Sequence, residues 1–469
     1  MNRAAFALGV GIRWFSISLL TITTAMSAEL SNLPSTAVAT PVDSLKARTY
    51  TIGGTVIGLK DPGTVRIRDT SDDENESVSS NGTFKLPRAL KSGTAYDVTV
   101  AATPTGQSCA VQNGSGTVAR SNITNLLVYC TYTQSVATLN GSYDGAGYNI
   151  NNDTDLLSSG VSFNGSGHEG NTATLITNVG GTITTTTNSN SSAGRYTVVT
   201  TDAIPVLTTG GNNIGAIAGE DAEEFLWIAD ASTADGGGLP ALAVGVSPLQ
   251  NGTIASLAGN WIAVGMDQGP DPQVFEGLLT FGADGSVSGT STSLDLNGVV
   301  STVPYSDPPG TLTLTSGGQF SSGNGTLGYV SANGEFLVET YTRGGSPPGL
   351  TVALEQGTGV TLATLNGVYT LGSLALITAA TGDGEVFTLF FDGAGNYSGT
   401  YIDNNNGTIT TGNTTSGTYS VTSAGVLTLT DASGNVHTGG ISEDGNFIVA
   451  ANLTGGGAEQ PRMFVGFRQ

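Results

Sequence analysis

From Ser135 to its last residue the chain contains no lysine. Over that stretch 28 acidic side chains stand against four arginines, Arg195, Arg343, Arg462 and Arg468, which leaves a formal charge of −24. Residues 29–134 carry nine basic and nine acidic side chains, so the charge imbalance belongs to the later part of the chain alone. Such a surface repels phosphate backbones and excludes nucleic acid as a partner class. Histidine is nearly absent too: His168 and His437 are the only two. Charged residues make up 11% and aromatics 7%, while glycine reaches 69. Low charge with abundant glycine can mark disorder, but 38% hydrophobic residues in alternating runs predict folded β-structure.

Long apolar runs are missing after the N-terminus, so no membrane-spanning helix is expected. Residues 1–28 have the form of an export signal. Arg3 and Arg13 flank a short apolar stretch, Trp14 to Ile22 continues it, and Ser27 or Ala28 ends it. No cysteine lies there to accept a lipid. The Ser-, Thr- and Pro-rich residues 29–47 follow as a linker. The only cysteines are Cys109 and Cys130. In an exported chain an isolated pair is more often a disulfide than a metal or catalytic site, and closing this loop would contribute roughly 3 kcal/mol.

What the chain does have is a repeated pattern. Leu139-Asn-Gly-Ser-Tyr143, Leu257-Ala-Gly-Asn-Trp261 and Leu365-Asn-Gly-Val-Tyr369 each open a unit of about a hundred residues. Each unit continues through a Phe before a Gly-rich turn (Phe163, Phe281, Phe391). A segment at matching places follows: Glu224-Phe-Leu-Trp-Ile228, Glu335-Phe-Leu-Val-Glu339 and Asn446-Phe-Ile-Val-Ala450. The units close on Leu242–Val246, Leu350–Leu354 and Met463–Phe467. Within the third unit, eight alternating segments separated by Asp-Gly, Asn-Gly and Gly-Gly turns predict an antiparallel meander. Trp227 and Trp261 are expected to fill cores.

Before the repeats, Tyr50–Gly58, Thr64–Arg68, Gly82–Leu86, Tyr96–Val100 and Leu126–Cys130 alternate as half-buried strands do. The series Tyr50 to Leu59, Asn81-Gly-Thr-Phe84, Pro104 to Cys109, Asn113 to Thr117 and Asn122 to Cys130 resembles an immunoglobulin-like module of exported bacterial surface proteins. That resemblance covers residues 48–134 and implies a spacer whose two cysteines pair. Asp72-Asp-Glu-Asn-Glu76 is more acidic than such a module requires and leaves room for a cation. The Gly259-x-Trp261 opening and the meander after it resemble lipocalin-like barrels. That family's arginine on the last strand, packed against the Trp, has no counterpart recognised in the sequence.

The expected architecture is therefore all-β: an Ig-like sandwich over residues 48–134, then three tandem up-and-down barrels over 139–248, 256–354 and 364–469. A six-bladed propeller, two four-stranded blades per repeat, is the competing arrangement. Catalytic signatures are weak. Gly165–Gly170 and Gly323–Gly328 match Gly-x-Gly-x-x-Gly, but strand-like sequence follows each where a nucleotide site needs a helix, so both are expected to be hairpin turns. The two histidines fall at non-equivalent places, and no Gly-x-Ser-x-Gly elbow is present. Glu276, Glu335, Glu339 and Glu385 sit in predicted strands with nothing to bring two of them together, as a glycosidase would need. No enzyme activity and no cofactor is expected. Calcium is the one ion with candidate ligands, at Asp72, Asp73, Glu74, Asp392, Asp403 and Asp444, although Asp-Gly and Asn-Gly are equally hairpin turns on backbone grounds. The sequence points to an exported, non-catalytic surface or secreted protein with a structural or adhesive role and an unknown extracellular partner. The alternative is a barrel that binds small apolar or glycan ligands.

Overall fold

A computed structural model describes residues 48–469, apart from 72, 151–153, 188–194, 210–213, 218–223, 230–240, 268, 270, 323–324, 342–346, 379–380, 406–407 and 455–459. No helix among the described residues is long and apolar enough to cross a membrane. Residues 49–469 form one compact unit. Its first part is a β-sandwich. One sheet orders Gly82–Lys85, Ile52–Ile57, Ile123–Tyr132 and Gln107–Gln112, with Ile52–Ile57 and Ile123–Tyr132 parallel. The other orders Glu74–Val78, Val65–Asp69, Ala95–Ala102 and Ser115–Thr117. Val56, Val65, Ile67 and Val128, all fully buried, fill the space between them. Cys109 and Cys130 are disulfide-bonded and face one another on adjacent antiparallel strands. The bond thus joins neighbours within one sheet, whereas an antibody domain's disulfide bridges its two sheets.

Three meander sheets follow, and in each the first strand pairs with the last. Those pairs are Asn140–Asn149 with Ala241–Val246, Gly259–Asp267 with Gly349–Glu355, and Asn366–Thr378 with Arg462–Arg468. Only the third sheet closes, as an eight-stranded barrel. Among the described residues the first and second are open nine-stranded sheets where three closed barrels were expected, and none of the sheets described after residue 134 is a four-stranded propeller blade. The physical reason lies in one strand. In the third sheet Thr408–Val421 runs unbroken for 14 residues and pairs on both sides. In the second, Pro308-Pro309-Gly310 divides the equivalent path into Val300–Asp307 and Thr313–Leu314, since proline has no N–H for a ladder. In the first, the described strands on this path are Thr182–Thr187 and Tyr196–Thr201. One backbone hydrogen bond keeps the same place in all three: Tyr196 N–H to Gly167 O, Leu312 N–H to Gly285 O, and Tyr419 N–H to Gly395 O.

The end of each sheet where the chain enters is plugged by a ring that donates to the carbonyl of the opening leucine. Tyr196 Oη donates to Leu139 O (2.8 Å), Trp261 Nε1 to Leu257 O (2.9 Å) and Tyr419 Oη to Leu365 O (2.8 Å). Where the second sheet places Leu312 instead of tyrosine, its opening Trp261 supplies the donor. Trp261 is buried as expected; the side chain of Trp227 lies outside the described residues. In the third barrel Arg468, on the last strand, stands opposite Tyr369, beside Gly367.

The inner faces hold separate apolar clusters, but the largest core is shared. Tyr148 and Val244 of the first sheet, Ile262, Phe336 and Val352 of the second, and Phe447, Val465 and Phe467 of the third belong to one buried cluster. Phe336 stacks on Phe447 at 5.2 Å and meets Phe467 edge-on at 5.9 Å. First and last strands are therefore buried on both faces, which is why Met463–Phe467 reads as a continuous apolar run. The sandwich is seated on this body too. Gly58 N–H donates to Asn366 Oδ1 (2.9 Å), Tyr129 meets Phe390 edge-on, and Tyr129 Oη donates to Asp202 O (2.6 Å). Gly367, at φ 135°, lets the two backbones approach; a Cβ there would lie 3.2 Å from Gly58 Cα.

One sequence alignment is out by a residue. Glu224, Phe336 and Phe447 pair with Val246, Leu354 and Phe467, the equivalent positions of the last strands. Phe225 consequently packs in the inner cluster of the first sheet, whereas Phe336 and Phe447 point outward into the shared core.

Phe336→Ala is expected to cost about 3–5 kcal/mol. In chemical denaturation it should lower the midpoint of one transition that covers the second and third sheets together. Two transitions of which only one shifts would show that the cores act separately. Tyr419→Phe, which removes one buried donor, is expected to cost about 1 kcal/mol.

Candidate functional site

The closed barrel carries a charged cluster on its inner wall. Asp383 and Glu385, on Thr381–Asp392, and Asp403, on Asn396–Asn405, have carboxylate oxygens within 4.8 Å of one another. Glu385 and Asp403 are cross-strand partners, an arrangement that is repulsive when both are ionised. Arg462 of the last strand answers it. Its guanidinium pairs with Asp383 Oδ2 at 2.6 Å and with Glu385, and donates to Ser373 Oγ at 2.7 Å. Burial raises the Glu385 pKa and Arg462 opposes the rise. Asp403, left third to the one cation, is pushed up to about 7 by burial and then by the Asp383 carboxyl beside it. Arg462 bridges two of the three carboxylates, so the group is an ion-pair network in which burial and the neighbouring Asp383 carboxyl favour the protonated form of Asp403.

Above this network lies a cavity of about 130 Å³ edged by Glu385, Tyr401, His437 and Phe464. His437 is buried, and burial, reinforced by Arg462, brings its pKa down to about 4, so the ring is neutral at physiological pH. The open second sheet encloses a comparable cavity of about 150 Å³, which Glu339 faces. Thr326 Oγ1 donates to Glu339 Oε2 at 2.9 Å, and burial raises the Glu339 pKa to about 7.

The other sequence candidates are scattered. Asp392 and Asp444 accept hydrogen bonds from the backbone N–H of Asn396 and Asn446 within their own turns. Asp403 lies within the strand Asn396–Asn405 and so meets Asp383, which sequence reasoning missed. Glu74 begins the strand Glu74–Val78 instead of lying in an acidic loop, and Asp73 pairs with Arg68. Asp72 lies outside the described residues. Glu276 accepts from Thr438 Oγ1 (2.6 Å) on the outer face of the second sheet. Glu335 is pushed up to about 6 by burial and by Asp444, Glu355 and Glu443 around it. His168 forms a lone bridge with Arg195, Gly165–Gly167 form a turn, and Gly323 lies outside the described residues.

No protein-family model matches the chain, and no curated protein matches it. Among solved structures it is similar to the vaccine antigen transferrin binding protein B of Haemophilus parasuis Hp5. For two mutant forms of that protein the identities are 8% and 9% and the TM-scores 0.25 and 0.22, each with 90% of this chain and 78% of the other covered. A DUF3598-family protein of unknown function from Nostoc punctiforme matches at 12% identity and TM-score 0.16, over 46% of this chain and 97% of that one. At scores this low the likeness adds nothing to the fold already described.

The Asp403 proton has a consequence for stability. The unfolded carboxyl titrates near 4, so between about pH 4 and 7 the folded protein holds a proton that the unfolded chain releases. Stability therefore falls as pH rises through that window. Asp403→Asn should flatten the slope and melt a few degrees above the wild type at pH 8, the two converging near pH 4. Parallel melting curves for the two proteins across pH 4–8 would exclude Asp403 as the titrating group.

Proposed function

We propose that the protein is an exported, non-catalytic structural or adhesion protein of the bacterial surface or its surroundings, removed from its signal after Ser27 or Ala28. In this proposal the sandwich at 48–134 is an immunoglobulin-like module, and 139–248, 256–354 and 364–469 are three copies of one lipocalin-like unit. The observation that carries it is the buried cluster shared by the three sheets, with the sandwich seated beside it through Gly58 and Tyr129, all within one compact unit. A compact acidic body suits presentation or adhesion at a surface, where self-repulsion also keeps copies apart. The partner would be an extracellular molecule that tolerates or complements negative charge.

Cell fractionation with N-terminal sequencing of the mature protein is the direct test. Recovery outside the cytoplasm, with an N-terminus at residue 28 or 29, is expected; a cytoplasmic product that retains Met1 would end the proposal. Millimolar calcium is expected to leave the melting temperature unchanged relative to chelator, because the Asp392 and Asp444 carboxylates already serve their own turns. A rise that Asp392→Asn or Asp444→Asn abolishes would instead make those turns cation sites.

A further inference from the structure

We propose that the cavity of the second sheet binds a small hydrophobic amine, its ammonium group held by Glu339 and its apolar body by the surrounding rings. The cavity is set apart from its counterparts by what fills it. Strand pairing makes Glu339 and Thr351 the equivalents of Ala450 and Phe464 in the third barrel and of Trp227 and Ala243 in the first. The fold therefore does not require a carboxylate at this place. In the third barrel Phe464 stands at this place and edges a cavity whose carboxylate, Glu385, is paired with Arg462; in the second, the smaller Thr351 lines the cavity that Glu339 faces.

The walls are Phe275, Leu279, Phe281, Val287, Phe320 and Leu337, and the polar groups gather at Glu339 with Thr326, Thr351 and Tyr341. Glu339 lies deep in the protein yet keeps accessible surface, which is the surface it presents to the cavity. Among the described residues Thr326 is its only hydrogen-bond donor and no cation pairs with it. A buried carboxylate without a cation is costly and takes up a proton instead. An ammonium ligand would supply the missing charge, and aromatic walls suit it further. A cavity of about 150 Å³ takes a molecule of benzene size. Tyr305 and Leu312, on the two sides of the interruption in the sheet, both line it, so the cavity borders the place where no ladder closes the wall. The acidic array raises the local concentration of cations around it.

Benzylamine is the probe, with benzyl alcohol and benzoate as neutral and anionic counterparts of the same shape. Titration calorimetry on the mature full-length chain at pH 8 should show benzylamine binding at least tenfold more tightly than benzyl alcohol and no uptake of benzoate. At pH 6 binding should weaken and release close to one proton, visible in buffers of different ionisation enthalpy. Glu339→Gln keeps the size of the side chain and should lose the preference for the amine while retaining benzyl alcohol. Its melting curve reports whether it folds. Arg343→Gln, a position outside the described residues, should bind benzylamine as the wild type does. Equal affinity for amine and alcohol, benzylamine binding unchanged in Glu339→Gln, or a gain of binding in Arg343→Gln would each overturn the proposal. The last would mean that Arg343 already neutralises the carboxylate. None of these outcomes depends on where the protein resides.

Discussion

Burial of the first and last strands of each sheet on both of their faces is the constraint from which the rest of the molecule follows. A meander strand ordinarily has one apolar face, and here those strands have two. Their inner residues, such as Trp261 and Tyr369, plug an individual sheet; their outer residues, such as Ile262 and Val465, meet the neighbouring sheets in a common core. Each apolar side chain moved fully out of water contributes on the order of 2 kcal/mol. The shared cluster therefore holds the three sheets together far more strongly than short linkers or scattered surface ion pairs could. Once those strands are fixed, the far strands of each sheet are free to differ, and they do.

Closure is where they differ most. The third sheet needs no covered edge because its 14-residue strand completes the ring. The second and first leave edges at Val300–Asp307 and at Thr182–Thr187 and Tyr196–Thr201. Exposed edges are usually protected by lysine, and this part of the chain has none. Val199, Val299, Val300 and Val303, among the most exposed large apolar side chains, lie on or beside these edges. Net charge, rather than a local lysine, is the force opposing edge-to-edge association here. The same openness that costs the sheets a ladder lets the second interior stay unfilled.

Much of this was legible in sequence. The eight segments expected in the third unit fall on its eight strands, because glycine-containing turns and period-two alternation specify a meander locally, but the strand Thr408–Val421 was expected only from Gly417 onward. Cys109 and Cys130 pair as expected. What escaped the sequence is of two kinds. Register is set by ladders between distant strands, so a shared Glu-Phe-Leu string aligned Phe225 with Phe336 although the two face opposite ways. Convergence of side chains is equally non-local: Asp383 and Arg462 are 79 residues apart, and nothing in either neighbourhood marks them as partners of Asp403. Two signals were available. The continuous apolar closing strands announced burial on both faces, and the scarcity of arginine made each one a candidate for an internal pair.

That scarcity also organises the electrostatics. With four cations among 28 acids after residue 134, most carboxylates must be solvated, bonded to a turn or protonated. Asp284 and Asp295 take the second course, and the hydrogen bonds of their turns lower their pKa values. Burial pushes Asp403 and Glu339 toward the third. The two interiors thereby solve one problem differently: the closed barrel spends its arginine on two carboxylates and leaves the third a proton, while the open sheet has, among the described residues, a carboxyl and a hydroxyl facing an empty space. The difference between two otherwise parallel interiors is therefore best understood as a difference in what each is built to hold.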